Sequence, residues 1–322
     1  LTQKEGVVLK GTGGVWHVRA DSGETHEASL RGRLKQEREE SRKLAVGDRV
    51  ILEIDQGGAH WSITEILPRT SKLARREPGS GQGERIVAAN VDQVVVVFAA
   101  AKPEPHRRML DRFLVIAEGN SLQSRIVINK IELVDREKTE RAFADYIAAG
   151  YPVHFTSVKQ NIGLDELHDV LAGKTSVLAG PSGVGKSSLM NSMYPGLDLR
   201  VGEISESVNK GRHTTVGALL HPLPDAGYVV DTAGLREVGM WGLASDHLDE
   251  CFREFRPHIT QCKFGDCTHR VEPACGVRRA LEEGSISAER YDSYLKLREE
   301  IEEAERKWAP YSAVAKSQKR RS

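Results

Sequence analysis

The chain has 322 residues, 39% hydrophobic and 29% charged, and its 46 basic and 46 acidic side chains cancel to a formal net charge of zero. That length holds two or three domains, each with its own core. The balance excludes a surface coated with positive charge for unspecific nucleic-acid binding, though it leaves room for local basic patches. No apolar run approaches the ~20 residues needed to span a bilayer. The opening, LTQKEGVVLK, lacks the basic-then-apolar layout of a secretory signal, and its missing Met predicts a numbering that begins after a trimmed or omitted residue.

In chain order, residues 1–70 contain five short apolar runs between Gly, Asp and Ser signals: EGVVLKG, VWHVRAD, THEASLRG, DRVILEID and HWSITEILP. Five strands in so short a length predict a small closed barrel, of which the oligonucleotide-binding (OB) type is the commonest. Residues 71–90 carry Gly, Pro, Ser and Arg without periodicity and are expected to be a linker. From Asp92 to about Leu235, the runs DQVVVVFAAA, SRIVINK, YPVHFTS, TSVLAG and GYVVDTAG alternate with amphipathic stretches. This pattern predicts a parallel α/β sheet with helices on both faces. From Met240 onward the sequence is helical apart from a Cys/His knot. A last helix is expected over Ser287–Trp308, before the basic end KSQKRRS. The predicted domains are thus 1–70, 71–235 and 236–322.

GPSGVGKSS at 180–188 fits the phosphate-loop pattern G-x-x-x-x-G-K-[ST], after an apolar strand and before a helix. Gly180, Pro181, Ser182, Gly183, Val184 and Gly185 would turn backbone N–H groups onto phosphate oxygens. Lys186 would reach the β- and γ-phosphates, Ser187 would bind Mg²⁺, and Ser188 continues the helix start. DTAG at 231–234 ends a strand, so Asp231 can face Mg²⁺ through water and the Gly234 N–H can sense the γ-phosphate.

The base would be read at Asn129, Lys130, Ile131 and Glu132. In GTPases an Asn-Lys-x-Asp run sets a carboxylate against the guanine N1–H and amino group. Here that carboxylate is Glu132, one methylene longer. Either its carboxylate still accepts both hydrogen bonds, the reading favoured here, or Glu132 is a helix-start acid and guanine selectivity weakens. Thr156 and Ser157, in TSVK, can hold the base from the other side through their backbone. Both base motifs precede the phosphate loop, the reverse of the usual order. A parallel sheet tolerates such relocated chain ends, because its ligand loops all sit at the carboxyl ends of strands.

Leu235 follows DTAG where many GTPases have a water-orienting Gln. GRHTT at 211–215 occupies the first-switch position. His213 there is either a water-positioning residue or an exposed loop histidine, and either Thr214 or Thr215 can complete the Mg²⁺ shell.

All four cysteines fall in the last quarter, a clustering that predicts a metal site rather than disulfides and hence a cytosolic setting. Cys262, Cys267, His269 and Cys275 have the spacing C-x4-C-x-H-x5-C. Three thiolates and one imidazole make a closed tetrahedral zinc site of the structural type. Cys251 is expected to be a buried small hydrophobe on a helix. Arg31–Lys43, Lys72–Arg76 and Lys316–Arg321 are basic runs, either solvated surface, as the Glu37, Glu39 and Glu40 in the first suggest, or contacts for RNA phosphates at a barrel loop. Trp16 and Trp61 are expected in barrel packing, with stacking on bases as the alternative.

NKIE, TSVK, GPSGVGKSS, GRHTT and DTAG in this order, with a barrel before and a Cys/His knot after, resemble the RsgA (YjeQ) family across essentially the whole chain. The resemblance implies a circularly permuted GTPase core, an N-terminal OB domain and a zinc domain. It also implies late maturation of the 30S ribosomal subunit in the cytoplasm, contact with 16S rRNA, stimulation of hydrolysis by the ribosome, and a water-positioning role for His213. GTP and GDP are the implied ligands, no membrane is implied, and a monomer is expected. The chain departs from the family pattern at Glu132, where Asp is usual, and at Ala233, where Pro is common. Two other readings stay open: a nucleotide-gated RNA-binding module with little turnover, and an ATPase if Glu132 does not read guanine.

Overall fold

The computed structural model of the chain describes residues 3–35, 43–55, 57–58, 60–76, 84–197, 199, 218–231 and 243–319. Strands β1 (Gln3–Thr12), β2 (Val15–Ala20), β3 (Thr25–Leu30), β4 (Arg49–Ile54) and β5 (Trp61–Ile66) close a barrel in the order β1-β2-β3-β5-β4, with a helical turn α1 (Gly32–Lys35) after β3. Pairing is antiparallel except between β3 and β5. This is the OB arrangement expected from the five apolar runs. Alternate residues point inward, so Val8, Val18, Ala28, Val50, Leu52 and Ile63 make the barrel's own core.

Residues 71–90 are not a plain linker. Strands β6 (Lys72–Arg76) and β7 (Glu84–Ala89) pair antiparallel. Their apolar members are few, which hid the alternation. Leu73 and Ala88 nevertheless enter the main core, which ties both strands to the central domain. Leu9 and Val46, on the barrel's outer side, join the same core. The buried Asp48 clamps this joint by accepting from Arg69 Nε at 2.6 Å and Nη2 at 2.8 Å.

The central sheet has the order β10-β9-β8-β11-β13-β12. Strands β8 (Gln93–Ala99), β9 (Gln123–Asn129), β10 (Val153–Phe155), β11 (Thr175–Ala179) and β13 (Tyr228–Asp231) are parallel. Edge strand β12 (Leu219–Pro222) runs antiparallel to β13, so the sheet is mixed rather than purely parallel as expected. Four residues ending in Pro carry too little pattern to be recognised as a strand. All seven residues of β8 are buried, as a central strand covered on both faces requires.

Helices α2 (Arg107–Gly119), α3 (Arg136–Ala142), α4 (Ala144–Ala148), α5 (Leu164–Leu171) and α6 (Lys186–Met193) cover the sheet. Helices α3 and α4 are divided at Phe143, which leaves the helical region at φ −116° and buries its ring in the core.

Beyond residue 243, three 3₁₀ turns (Ser245–His247, Asp249–Cys251, Arg253–Phe255) lead to α7 (Arg256–Ile259), the Cys/His knot, α8 (Gly276–Glu282) and α9 (Ala288–Lys319). Helix α9 runs through most of the basic end that was expected to lie beyond it. The C-terminal core gathers Leu248, Phe252, Phe255, Tyr294, Leu297 and Ile301, and Val115 from α2 completes it.

A polar joint fastens this region to the central domain. Arg290, 1% exposed, donates to Asp111 Oδ1 at 2.5 Å and to Glu254 Oε1 at 2.6 Å, and it lies 4.6 Å from the Phe252 ring centre. Tyr146 Oη donates to the same Asp111 oxygen. Burial acts to lower the Arg290 guanidinium, but the two carboxylates outweigh it and hold the group well above its usual range.

Candidate functional site

The carboxyl ends of β8, β9, β10, β11 and β13 bring the predicted nucleotide motifs to one edge of the sheet, as parallel α/β sheets do with ligand loops. The phosphate loop leaves β11 at Gly180 and enters α6 at Lys186. Two of its glycines are required by geometry. A Cβ at Gly180 (φ +129°) would lie 2.0 Å from Val97 O, and one at Gly185 (φ +97°) would lie 2.5 Å from Asn129 Nδ2. The loop therefore presses its backbone against β8 on one side and the base motif on the other. Val184 is buried in the apolar cluster beneath and anchors the turn. Lys186 arches over the loop and donates to Gly180 O and Pro181 O, each at 2.8 Å. Ser187 is buried at the helix start, with Ser188 behind it.

The base motif and the phosphate loop touch directly. Asn129 Nδ2 donates to Val184 O at 2.9 Å, and its Oδ1 accepts from Thr156 Oγ1 at 3.2 Å. Lys130, in the left-handed region at φ +61°, donates from Nζ to Gly183 O at 2.5 Å and Lys102 O at 2.6 Å. Ile131 is buried, and its N–H donates to Thr156 O. Glu132 Oε2 accepts from Ser157 Oγ at 2.6 Å. Glu132 belongs to the 3₁₀ turn Ile131–Leu133, and that turn is capped by Lys130 with no side-chain bond. Asp231 ends β13 on the same edge, in register with Leu219. His213, Thr214, Thr215 and Gly234 lie outside the described residues, as do Ala233 and Leu235.

The Cys/His knot is assembled as its spacing predicted. One ligand atom from each of Cys262, Cys267, His269 and Cys275 lies within 4.8 Å of every other. His269 Nδ1 is 3.3 Å from Cys275 Sγ and 3.6 Å from Cys262 Sγ, and those two sulfurs are 3.9 Å apart. A tetrahedral ion with bonds of about 2.3 Å to sulfur needs sulfurs roughly 3.8 Å apart, so the donors fit. Gly276 N–H and Arg278 N–H donate to Cys262 Sγ and Cys275 Sγ, as thiolates require, and Cys275 caps α8, whose N-terminal dipole favours its anion. Burial pushes the Cys267 thiol up, and a cation at this position would favour the thiolate form.

Sequence spacing missed three groups. Asp249 Oδ2 sits 3.0 Å from His269 Nε2, which leaves Nδ1 turned to the metal position; lying twenty residues upstream, it gave no spacing signal. Lys102 O, which fixes Lys130, is a backbone group and left no trace in residue type. The Ser157 hydroxyl adds a side-chain bond where the sequence suggests only a backbone role for TSVK. Cys251 is buried as expected, on a 3₁₀ turn rather than an α-helix, with Sγ donating to His247 O.

Of the basic runs, Arg31 is paired with Glu53 at 2.7 Å, and Lys72 opens β6. Residues 36–42 of the first run lie outside the described residues, as do 320–322 at the basic end. Trp16 and Trp61 both pack against the barrel core. The Trp61 ring also stacks on His26 at 4.5 Å, with Lys4 Nζ 5.3 Å from its centre. Among the described residues, no helix is long and apolar enough to cross a membrane.

Comparison with known proteins agrees with this architecture. The RsgA GTPase family profile matches residues 66–241, more than half of the chain. The small ribosomal subunit biogenesis GTPase RsgA of Gemmatimonas aurantiaca is 60% identical over 301 residues, covering 93% of this chain and 98% of that protein. The protein of the same name from Thermotoga maritima is 40% identical over 279 residues, covering 86% and 89%. The crystal structure of YjeQ from Thermotoga maritima superposes with a TM-score of 0.77 at 35% identity, covering 93% of this chain and 99% of that one. YloQ, described as a circularly permuted GTPase, gives 0.74 at 30% identity, covering 94% and 96%. With its barrel, permuted motif order and Cys/His knot, the chain belongs to the RsgA GTPase family.

Proposed function

We propose that this GTPase acts in late maturation of the 30S ribosomal subunit, binding 16S rRNA in the cytoplasm as a monomer and hydrolysing GTP faster on the particle. The observation that carries the guanine-nucleotide reading is the bond from Asn129 Nδ2 to Val184 O, which joins base motif to phosphate loop. The particle is suggested by the relatives, which carry the name small ribosomal subunit biogenesis GTPase.

In this reading Lys186 turns from its own loop carbonyls to the β- and γ-phosphate oxygens, while loop N–H groups donate to the remaining oxygens. Ser187, Asp231 and either Thr214 or Thr215 would hold Mg²⁺, which would supply charge neutralisation for the phosphates. Lys130 braces the loop, and Glu132 accepts from the guanine edge. His213 orients the attacking water, since Leu235 has no polar group to do so. The Cys/His knot takes zinc, supported by its three sulfurs and one nitrogen at tetrahedral separations. The barrel carries the RNA contact, supported by the Lys4, His26 and Trp61 cluster on its wall. We divide the chain into 1–70, 71–235 and 236–322 for these three roles.

The test is GTP turnover by the full chain with and without 30S particles, together with competition by ATP and XTP. Turnover that rises on the particle and is inhibited by neither competitor is expected. An unstimulated rate points to the nucleotide-gated binding module instead, and effective competition by ATP points to an ATPase. His213→Ala should lower stimulated turnover by about 100-fold with GDP affinity little changed; full turnover removes the role.

A further inference from the structure

Asn191 lies in the last turn of α6, and its side chain reaches out of the helix. Its Nδ2 donates to Leu199 O at 2.7 Å, and its Oδ1 accepts from Leu199 N at 2.9 Å. One side chain thus takes both main-chain groups of one residue, as a neighbouring strand would. Leu199 itself is buried in the cluster that holds Val184, Leu189 and Met190. Asn191 stands four residues after Ser187, so both lie on one face of α6, a turn apart. The chain then carries GRHTT at 211–215, and the described residues resume at Ala218, which packs against the main core and leads into β12. Leu219 there is in register with Asp231. Leu199 is therefore fixed on the Ser187 face of α6 and Leu219 opposite Asp231, so the chain carrying the two threonines leaves and returns at the other groups assigned to Mg²⁺.

We propose that Asn191 is a positioning residue for magnesium binding in the triphosphate state. By pinning Leu199 to the Ser187 face of α6, it fixes where the chain departs towards Thr214 and Thr215. This rests on the reading that one of these threonines holds Mg²⁺. Asn191 touches neither nucleotide nor metal and acts only through the main chain of Leu199. A switch threonine joins the metal when a γ-phosphate is present and is released with a diphosphate. The effect of Asn191 is therefore confined to the triphosphate.

The experiment measures Kd by calorimetry for GDP and for GDPNP, a non-hydrolysable triphosphate, at a series of free Mg²⁺ concentrations with the full chain. In the native protein Mg²⁺ should strengthen GDPNP binding, and Thr214→Ala with Thr215→Ala should reduce that gain but not the gain for GDP. No effect of the threonine pair overturns the threonine–magnesium reading itself, and Asn191's role with it. Asn191→Ala should cut the Mg²⁺-dependent gain for GDPNP about tenfold, as for loss of two orienting hydrogen bonds, and leave that for GDP within about twofold. Equal losses for both nucleotides, or none, overturn the proposal with the threonine reading intact. Leu199→Ala removes the buried side chain but keeps both main-chain bonds, so the native gain should persist. A loss matching that of Asn191→Ala would mean packing rather than positioning, and overturns it as well. Asn191→Asp keeps the acceptor for Leu199 N–H without the donor and should be intermediate, which serves if the alanine variant does not fold. In the double-threonine background Asn191→Ala should change nothing further; full additivity also overturns it.

Discussion

The Cys/His knot and the nucleotide edge are built on opposite principles. The knot draws all four ligand atoms from residues 262–275, within reach of one short loop. The residues proposed to hold nucleotide come from 129–132, 156–157, 180–188 and 231, and meet because five parallel strands end together. The first is therefore held by whatever its ligands hold, the second by the whole sheet. Loss of the ion should undo the knot as a unit, whereas the nucleotide edge should lose function residue by residue.

The strongest way to break this contrast is to strip the metal. A structural zinc site of this type supplies on the order of 10 kcal/mol. Chelation should abolish the C-terminal unfolding transition in calorimetry, yet leave GDP affinity within about threefold. Parallel loss of GDP binding would show that the two regions are not independent.

Next in size is the joint between them. Arg290→Met leaves Asp111 and Glu254 as buried carboxylates without their cation, a loss of about 3–5 kcal/mol. Urea unfolding should show it, with metal content still one ion per chain.

Lys186→Ala should lower GDP affinity by about 100-fold, roughly 2.7 kcal/mol, and leave the knot's transition where it is. A shifted knot would again couple the regions.

The smallest effect concerns the knot's own loop. Glu272 accepts from the Thr268 hydroxyl and from the N–H groups of Thr268, Arg270 and Val271. Burial acts to raise its carboxyl, but these bonds outweigh it and bring it down to about 2. A depressed carboxyl stabilises the fold above its ordinary 4.5 and loses that contribution as pH falls from there towards 2. Glu272→Gln should cost about 1 kcal/mol near pH 7 after solvent screening. Its difference from the native protein in urea unfolding should narrow below pH 4.5.

The same contrast explains what could be read from sequence. The knot was legible in full because its chemistry is local, except for Asp249, which reaches His269 from an earlier turn. The barrel and the parallel strands were legible through their apolar runs. The hairpin at 72–89 and the edge strand at 219–222 were not, since their few apolar residues make no period. Motifs named the nucleotide residues but not their mutual bonds, such as Ser157 to Glu132, which only the packed loops create. Arg290 left no signal at all. On a helix rich in charge it resembles any solvated side chain, and only the docking of α9 buries it.

That docking has a consequence in time. Arg290 follows its partner Asp111 by 179 residues. At synthesis rates of roughly 5–20 residues per second, Asp111 and Tyr146 emerge on the order of 10–40 s before the guanidinium that completes their cluster. During that interval the face of α2 and α4 that will carry the C-terminal region is made but unsealed. Helix α9 thus closes a joint that α2 and α4 have held open since their own synthesis.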